Sequence, residues 1–81
     1  MRMEILVENR IGVLRILSNI FFHMEINIEE ISQRTINDGK DALLYLLLSV
    51  DEEDYYLYDR LVERMKMELK DFKEARLIET L

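Results

Sequence analysis

The chain has 81 residues, which is room for a single domain spanning residues 1–81. It contains no cysteine, which excludes a disulfide framework and a thiolate metal site. Eleven basic against seventeen acidic residues give a net charge of −6, which opposes binding to nucleic acids and to anionic membranes. The apolar runs are far shorter than the ~20 residues of a membrane span, so we expect a cytoplasmic protein with neither a nucleic-acid nor a membrane partner.

The first predicted elements are a strand and a helix. Met3 to Glu8 alternates apolar and polar residues with a period of two, which predicts a strand. Asn9 follows, and its side chain is of a type that caps helix N-termini. Beyond it, apolar residues recur at spacings of three and four and predict an amphipathic helix: Val13, Leu14, Leu17, Ile20, Phe21 and Met24.

Two further strands are predicted on either side of a tight turn. Ile28 to Ile36 is extended, and the break in its alternation at Glu29-Glu30 indicates a bulge. Asn37-Asp38-Gly39-Lys40 favours a hairpin turn, because Asp-Gly tolerates positive φ. Ala42 to Val50 is the third predicted strand.

A second helix and a last strand complete the predicted elements. Asp51 is the expected N-cap, with the acidic run Glu52 to Asp54 in the first turn, where it suits the helix dipole. The predicted buried stripe of this helix is Tyr55, Tyr58, Leu61, Val62, Met65 and Leu69. Phe72 to Thr80 is the predicted fourth strand.

The order strand, helix, strand, strand, helix, strand predicts an α+β fold. With right-handed crossovers, the simplest arrangement is a ferredoxin-like βαββαβ sandwich. Its four-stranded antiparallel sheet has the order 4-1-3-2, with both helices on one face. Leucines occupy both faces of the third strand, so something should cover the face that the helices leave open: a second copy of the chain, a neighbouring domain, or a long side chain lying across a bent sheet. We expect a homodimer, in which either the second strands pair edge to edge or the open sheet faces stack.

The segment from Ile5 to Ile28 resembles the signature of the ACT domain family. That signature is a strand, then Asp/Asn-Arg-Pro-Gly-Val/Leu-Leu, a helix, and Gly-Ile-Asn-Ile at the start of the second strand. The matching residues are Asn9, Arg10, Gly12, Val13, Leu14, Ile26, Asn27 and Ile28. Two positions depart from it, because Ile11 replaces the usual Pro and Glu25 the usual Gly.

The resemblance implies a regulatory domain that is not an enzyme. In ACT domains the loop of one copy faces the second strand of another, and an amino acid binds in the seam. The ligand-binding residues that this implies are Asn9, Arg10, Ile11, Gly12, Val13, Leu14, Asn27 and Ile28. The expected partners are a second copy, in a homodimer or higher oligomer, a small amino acid, and a parent or partner enzyme.

A structural interpretation of the same residues stays open. Gly12 either lets a ligand approach the backbone or only permits close packing of helix on sheet, and Asn9 and Asn27 either bind a ligand or only complete local backbone bonds. The alternative function is therefore a ligand-free assembly module. We expect no cofactor and no metal, since the lone His23 has no metal-ligand pattern around it.

Two branches of the family resemble the chain. Asn9 to Leu14 and Asn27 to Glu29 are similar to the regulatory subunit of acetohydroxyacid synthase. Arg34-Thr35 before Asp38-Gly39 is similar to the C-terminal ACT domain of the long (p)ppGpp synthetase/hydrolase, and the chain, like that domain, stops just after its fourth strand. The second branch is slightly favoured.

Overall fold

A computed structural model describes residues 1–52 and 54–79. It contains the predicted elements in the predicted order. They are β1 (Arg2–Glu8), α1 (Val13–His23), β2 (Asn27–Ile36), β3 (Asp41–Ser49), α2 (Leu57–Glu68) and β4 (Phe72–Glu79). Glu53 and Thr80, which the sequence assigns to the second helix and the last strand, lie outside the described residues.

The four strands form one antiparallel sheet in the order β2-β3-β1-β4, which confirms the predicted ferredoxin-like topology. Both helices cover the same face, where alternate residues of β1 and β3 are buried. The sequence of β3 is almost entirely apolar, whereas that of β1 largely alternates apolar and polar residues. The largest fully buried side chains are Phe21, Met3, Ile5, Leu17, Ile20, Leu44, Leu46, Leu48, Leu61, Met65, Leu69 and Val7.

The entry into α1 differs from the prediction. The N-cap residue is Gly12, with φ of 96°, and no side chain among residues 1–52 and 54–79 caps the helix. Asn9 is therefore not the cap; its Nδ2 instead donates to the carbonyl oxygen of Gly39 at 3.0 Å. Leu14 is also not on the buried stripe, since it is 46% exposed.

The bulge and the hairpin turn are confirmed. The pairing of β2 with β3 shifts register between Ile28 and Glu30. Asn37, Asp38 and Gly39 have φ of 54°, 58° and 82°, so consecutive turn residues adopt the left-handed conformation that the sequence predicts.

The start of α2 was predicted five residues too early, with the N-cap at Asp51 instead of Tyr56. The helix begins at Leu57, and Asp54 accepts a hydrogen bond from the backbone N–H of Tyr56 at 2.9 Å just before it. Asp51 is therefore not the cap, and Tyr55 is 95% exposed rather than buried. Leu57 takes the first buried position, because the connection uses several residues to cross from the sheet to the helix layer.

The face of the sheet opposite the helices is open. Leu6 of β1 and Leu43, Tyr45 and Leu47 of β3 lie on it and are half-buried, as the apolar third strand indicates. Ion pairs flank these residues, among them that of Arg76 with Glu4. No helix in the described part of the chain is both long and apolar enough to span a bilayer.

Candidate functional site

The loop between β1 and α1 lines a depression of about 230 Å³. All six loop residues predicted to bind ligand lie around it, from Asn9 to Leu14. Val7, Ala42 and Leu44 supply a buried apolar floor, whereas the rim residues are exposed. The depression is smaller than the ~300–1,000 Å³ of sites for drug-sized ligands, so its size suits a small metabolite.

The amino end of α1 faces this depression with unpaired amides. The first turn of a helix has no intrahelical acceptors for its N–H groups, and here no side chain in the described residues caps them. Those N–H groups belong to Val13, Leu14 and Arg15, which line the depression. Together with the helix dipole, this arrangement favours a negatively charged group such as a carboxylate.

Gly12 is required by the backbone conformation of this loop. With φ of 96°, it occupies a region that other L-residues rarely adopt. A Cβ built on it would meet nothing within 4 Å. Gly12 therefore does not serve close packing of helix on sheet, and the space beside it is open to a ligand or to another chain.

The loop is held by its neighbours at the same end of the sheet. Asn9 bonds to the hairpin turn twice, through Nδ2 to Gly39 and through its backbone N–H to the carbonyl oxygen of Lys40 at 2.9 Å. Arg10 Nε lies 2.8 Å from a carboxylate oxygen of Glu8 and 3.3 Å from one of Asp71. Arg10 is therefore paired with two carboxylates of its own chain, while Asn9 links the loop to the hairpin turn.

A polar cluster anchors the hairpin turn. Asp41 is 6% exposed, accepts a hydrogen bond from Lys73 Nζ at 2.7 Å and another from Asn37 Nδ2 at 2.7 Å. These two bonds hold the pKa of Asp41 below its usual range, and the pKa of Lys73 is raised by the same carboxylate. The cluster therefore keeps the turn, and through it Asn9, in place.

Several lining residues were not predicted from the sequence, among them the polar side chains of Gln33 and Arg15. Gln33 of β2 lies on the helix-covered face, opposite Leu44, and reaches the rim of the depression. Arg15 lies in the first turn of α1, at the same rim. Alternation along β2 counted from the bulge would place Gln33 on the helix side, but only the sheet register brings it to this loop.

Asn27 and Ile28 lie far from the other predicted site residues. Strands rise ~3.3 Å per residue, and Ile28 and Gln33 pair with residues of β3 that are four positions apart, so Ile28 is ~13 Å along the sheet from Gln33, towards its opposite end. Asn27 Nδ2 donates to Glu29 Oε1 at 3.1 Å, and Ser49 Oγ donates to the same atom at 2.7 Å. These bonds lower the pKa of Glu29, with that of Ser49 the larger cause. A single chain therefore does not unite the predicted site.

No metal site accompanies the depression. Within residues 1–52 and 54–79, no three His, Asp or Glu side chains are grouped to hold a metal ion. His23, at the last turn of α1, has Nδ1 2.7 Å from the carbonyl oxygen of Asn19. Its contacts are those of a side chain that closes the end of its own helix.

Comparison with known protein families identifies one match. The model of a family described as AHAS small subunit-like ACT domain matches residues 3–74. Of the two branches that resemble the sequence, this match is to the first. No curated protein sequence matches the chain.

Solved structures with the same fold include an acetolactate synthase small subunit from Thermotoga maritima. It has a TM-score of 0.76 at 21% identity, over 99% of this chain and 47% of that one. An unknown protein from Galdieria sulphuraria gives 0.73 at 17% identity, over 99% of this chain and 44% of that one. An ACT domain protein from Streptococcus pneumoniae gives 0.72 at 15% identity, over 93% and 84%. The chain thus spans less than half of the first two proteins, and at these identities the likeness concerns the fold.

Proposed function

Because this chain belongs to the family of AHAS small subunit-like ACT domains, we propose that it pairs with a second copy through β2 and binds a small amino acid in the seam. Binding there controls an associated enzyme. Domains of this family are regulatory and generally not catalytic. The chemistry then belongs to a partner or parent enzyme, and the sensing belongs to this domain.

The predicted site residues fall into two groups, which we call half-sites: the loop from Asn9 to Leu14, and the pair Asn27 and Ile28. The separation of these two half-sites along the sheet supports the proposal. β2 is an edge strand, so within the described part of the chain one row of its backbone N–H and C=O groups has no strand beside it. Two copies related by a two-fold axis can pair these edges only in antiparallel fashion. Asn27 and Ile28 of one copy then lie beside the turn that follows Ile36 in the other. That turn is bonded to Asn9, so each seam unites both half-sites.

Exposed apolar side chains follow the same edge. Among the described residues, four of the eight exposed large apolar side chains lie on the loop, on α1 or on β2. They are Ile11, Leu14, Phe22 and Ile31. A second copy placed against β2 would cover this side of the molecule, and burial of apolar surface would add to the backbone hydrogen bonds.

The chemistry of the depression suits an amino acid. The amides at the start of α1 and the guanidinium of Arg15 attract a carboxylate, and the floor of Val7, Ala42 and Leu44 accepts an apolar side chain. A branched-chain amino acid combines these two features. The ammonium group would face the second copy, where Asn27 and Glu29 supply oxygen acceptors.

One observation favours the alternative of a ligand-free assembly module. The side chain of Asn27 already donates a hydrogen bond to Glu29 of its own chain, so this bond does not require a ligand. In that case the loop of one copy and β2 of the other would contact each other directly. Both functions require the same seam, and they differ only in whether a small molecule enters it.

The seam is tested by sedimentation equilibrium on a matched pair of variants. Ile31 on β2 and Ile78 on β4 are each 43% exposed, and they lie on opposite edges of the sheet. Ile31→Glu places a charge in the proposed seam and should weaken dimerisation, whereas Ile78→Glu should leave it unchanged. A wild-type chain that stays monomeric at high micromolar concentration would refute the seam.

The ligand is tested by isothermal titration calorimetry of the dimer with L-valine, L-leucine and L-isoleucine, followed by the other standard amino acids. We expect binding heat for at least one of them, and its loss in the Arg15→Met variant. Binding by none, with an intact dimer, would support the assembly module instead.

A further inference from the structure

We propose that Ser32 lies on the two-fold axis of the seam, so that Glu30 of each copy faces Arg34 of the other. This inference rests on the edge pairing proposed above and specifies its register. It also assigns Ile31 of the second copy to the wall of the depression.

The faces of β2 restrict the possible registers. Ile31 and Gln33 pair with the buried residues of β3 and lie on the helix side, whereas Glu30, Ser32 and Arg34 lie on the open side. Residues directly opposite each other in an antiparallel pair point to the same side of the sheet. If the two sheets join into one continuous sheet, each residue on the two-fold axis must therefore lie opposite its own copy. The candidates for this residue near the middle of β2 are Ile31, Ser32 and Gln33.

Charge selects among these three registers. Glu30 and Arg34 lie two residues on either side of Ser32, and neither forms an ion pair within the described residues. A two-fold axis at Ser32 places Glu30 of each copy opposite Arg34 of the other, so the dimer contains this ion pair twice. An axis at Ile31 or Gln33 puts neither charge opposite its counterpart. Opposite charges across a strand pair stabilise it, and like charges destabilise it.

The length of the strand narrows the choice of centre. The bulge removes one residue of β2 from regular pairing, which leaves an extended edge from Glu30 to Ile36 with Ile28 before it. Counted in paired positions, from Ile28 opposite Leu48 to Ile36 opposite Asp41, the midpoint of this edge lies between Ser32 and Gln33. Strand length therefore favours these two centres over Ile31, and of the two only Ser32 pairs the opposite charges.

This register has a consequence for the ligand. Ile31 of the second copy lies opposite Gln33, on the helix side, and Gln33 lines the depression. Ile31 is 43% exposed in the single chain. The second copy therefore adds an apolar wall beside the polar amide of Gln33, and the site takes an amino acid with an apolar side chain in preference to a charged one.

A cysteine scan tests the register, because the natural chain has no cysteine. Three variants are compared under mild oxidation: Ile31→Cys, Ser32→Cys and Gln33→Cys. A residue on the axis meets its mate at a Cα separation of ~4.5–5.5 Å, which a disulfide spans. One position away, the separation grows to ~8 Å, which a disulfide cannot span without backbone movement.

We expect Ser32→Cys to form a cross-linked dimer at least about tenfold faster than the other two, as a geometric separation of this size implies. Fastest cross-linking by Ile31→Cys or Gln33→Cys would overturn the register and leave the edge pairing intact. A dimer in which no variant cross-links would overturn the edge pairing. A monomeric wild type would overturn the proposed function and this inference together.

Charge reversal provides a second readout. Glu30→Arg alone sets like charges opposite each other twice, and should raise the dimer dissociation constant about tenfold at low salt. Arg34→Glu should do the same, and the double variant should return to within about threefold of wild type. Glu74→Arg is the control, since it changes net charge equally on the open face of β4. An equal effect of Glu74→Arg, or no recovery in the double variant, would overturn the register.

Discussion

Replacement of Gly12 by alanine separates the backbone cost of the loop from its role in binding. Nothing lies within 4 Å of a Cβ at this position, so the substitution makes no clash. Its φ of 96° costs an L-residue ~1–2 kcal/mol. Alanine also has less conformational entropy than glycine in the unfolded chain, which stabilises the folded state by ~0.4–1 kcal/mol. We therefore expect a net destabilisation of about 1 kcal/mol, the difference of these two effects.

Gly39 provides the matched control. It has φ of 82° and also has nothing within 4 Å of a built Cβ, so Gly39→Ala should cost about the same. Both variants are measured by urea unfolding with circular dichroism, at the same protein concentration as wild type. A loss of 1 kcal/mol lowers the melting temperature of a domain this size by about 4–8 °C, which is a second measure of the same quantity.

The two variants should differ in binding. Gly12→Ala adds a methyl group beside the amides that start α1, whereas Gly39→Ala adds one in the hairpin turn. The calorimetric response to the amino acid that binds wild type should fall only in Gly12→Ala. A stability loss above about 3 kcal/mol in Gly12→Ala would show that a neighbour packs against this position. Equal loss of binding in both variants would refute the assignment of the loop.

Three further predictions concern the fold that carries the site. Leu44→Ala, on the fully buried face, should cost about 3–5 kcal/mol in urea unfolding, whereas Leu43→Ala on the open face should cost less than half of that; equal losses would contradict the assignment of the faces. Because hydrogen bonds from Lys73 and the turn lower the pKa of Asp41, its charged form stabilises the fold above an unfolded pKa of about 3.9, and this stabilisation disappears as the pH falls through the lower folded value. The melting temperature of Asp41→Asn should therefore be below that of wild type at pH 7 and converge on it towards pH 2, and a gap independent of pH would refute this. Asn9→Ala removes the hydrogen bond to Gly39 and should lower the free energy of unfolding in urea by about 0.5–1.5 kcal/mol. An unchanged unfolding midpoint would show that this bond does not stabilise the fold.

Local patterns predicted the strands and the turn well, because these depend on near neighbours in the chain. The strand predicted from alternation at β1, the apolar third strand, the bulge at Glu29-Glu30 and the left-handed turn at Asn37 to Gly39 were all confirmed. Helix starts were predicted poorly. Asn9 and Asp51 have side chains suited to capping, but each helix begins several residues later, where the chain has crossed from the sheet to the helix layer.

The candidate site divides in the same way. The loop from Asn9 to Leu14 was predicted from its resemblance to the ACT signature, and the structure places all of it around one depression. Gln33 was missed, because its approach to this loop depends on the pairing of β2 with β3. The distance between the loop and Asn27 also follows from the sheet, since one is at each end of β2.

The sequence by itself determined the element order, the fold class and the family signature, because periodicity and turn chemistry act over a few residues. Only the tertiary structure decided that β2 is an edge, that Gly12 faces open space, and that the predicted half-sites lie at opposite ends of the sheet. These features depend on which strands pair and in what register. No single segment sets that register, because it follows from burial of the whole apolar face of the sheet against two helices.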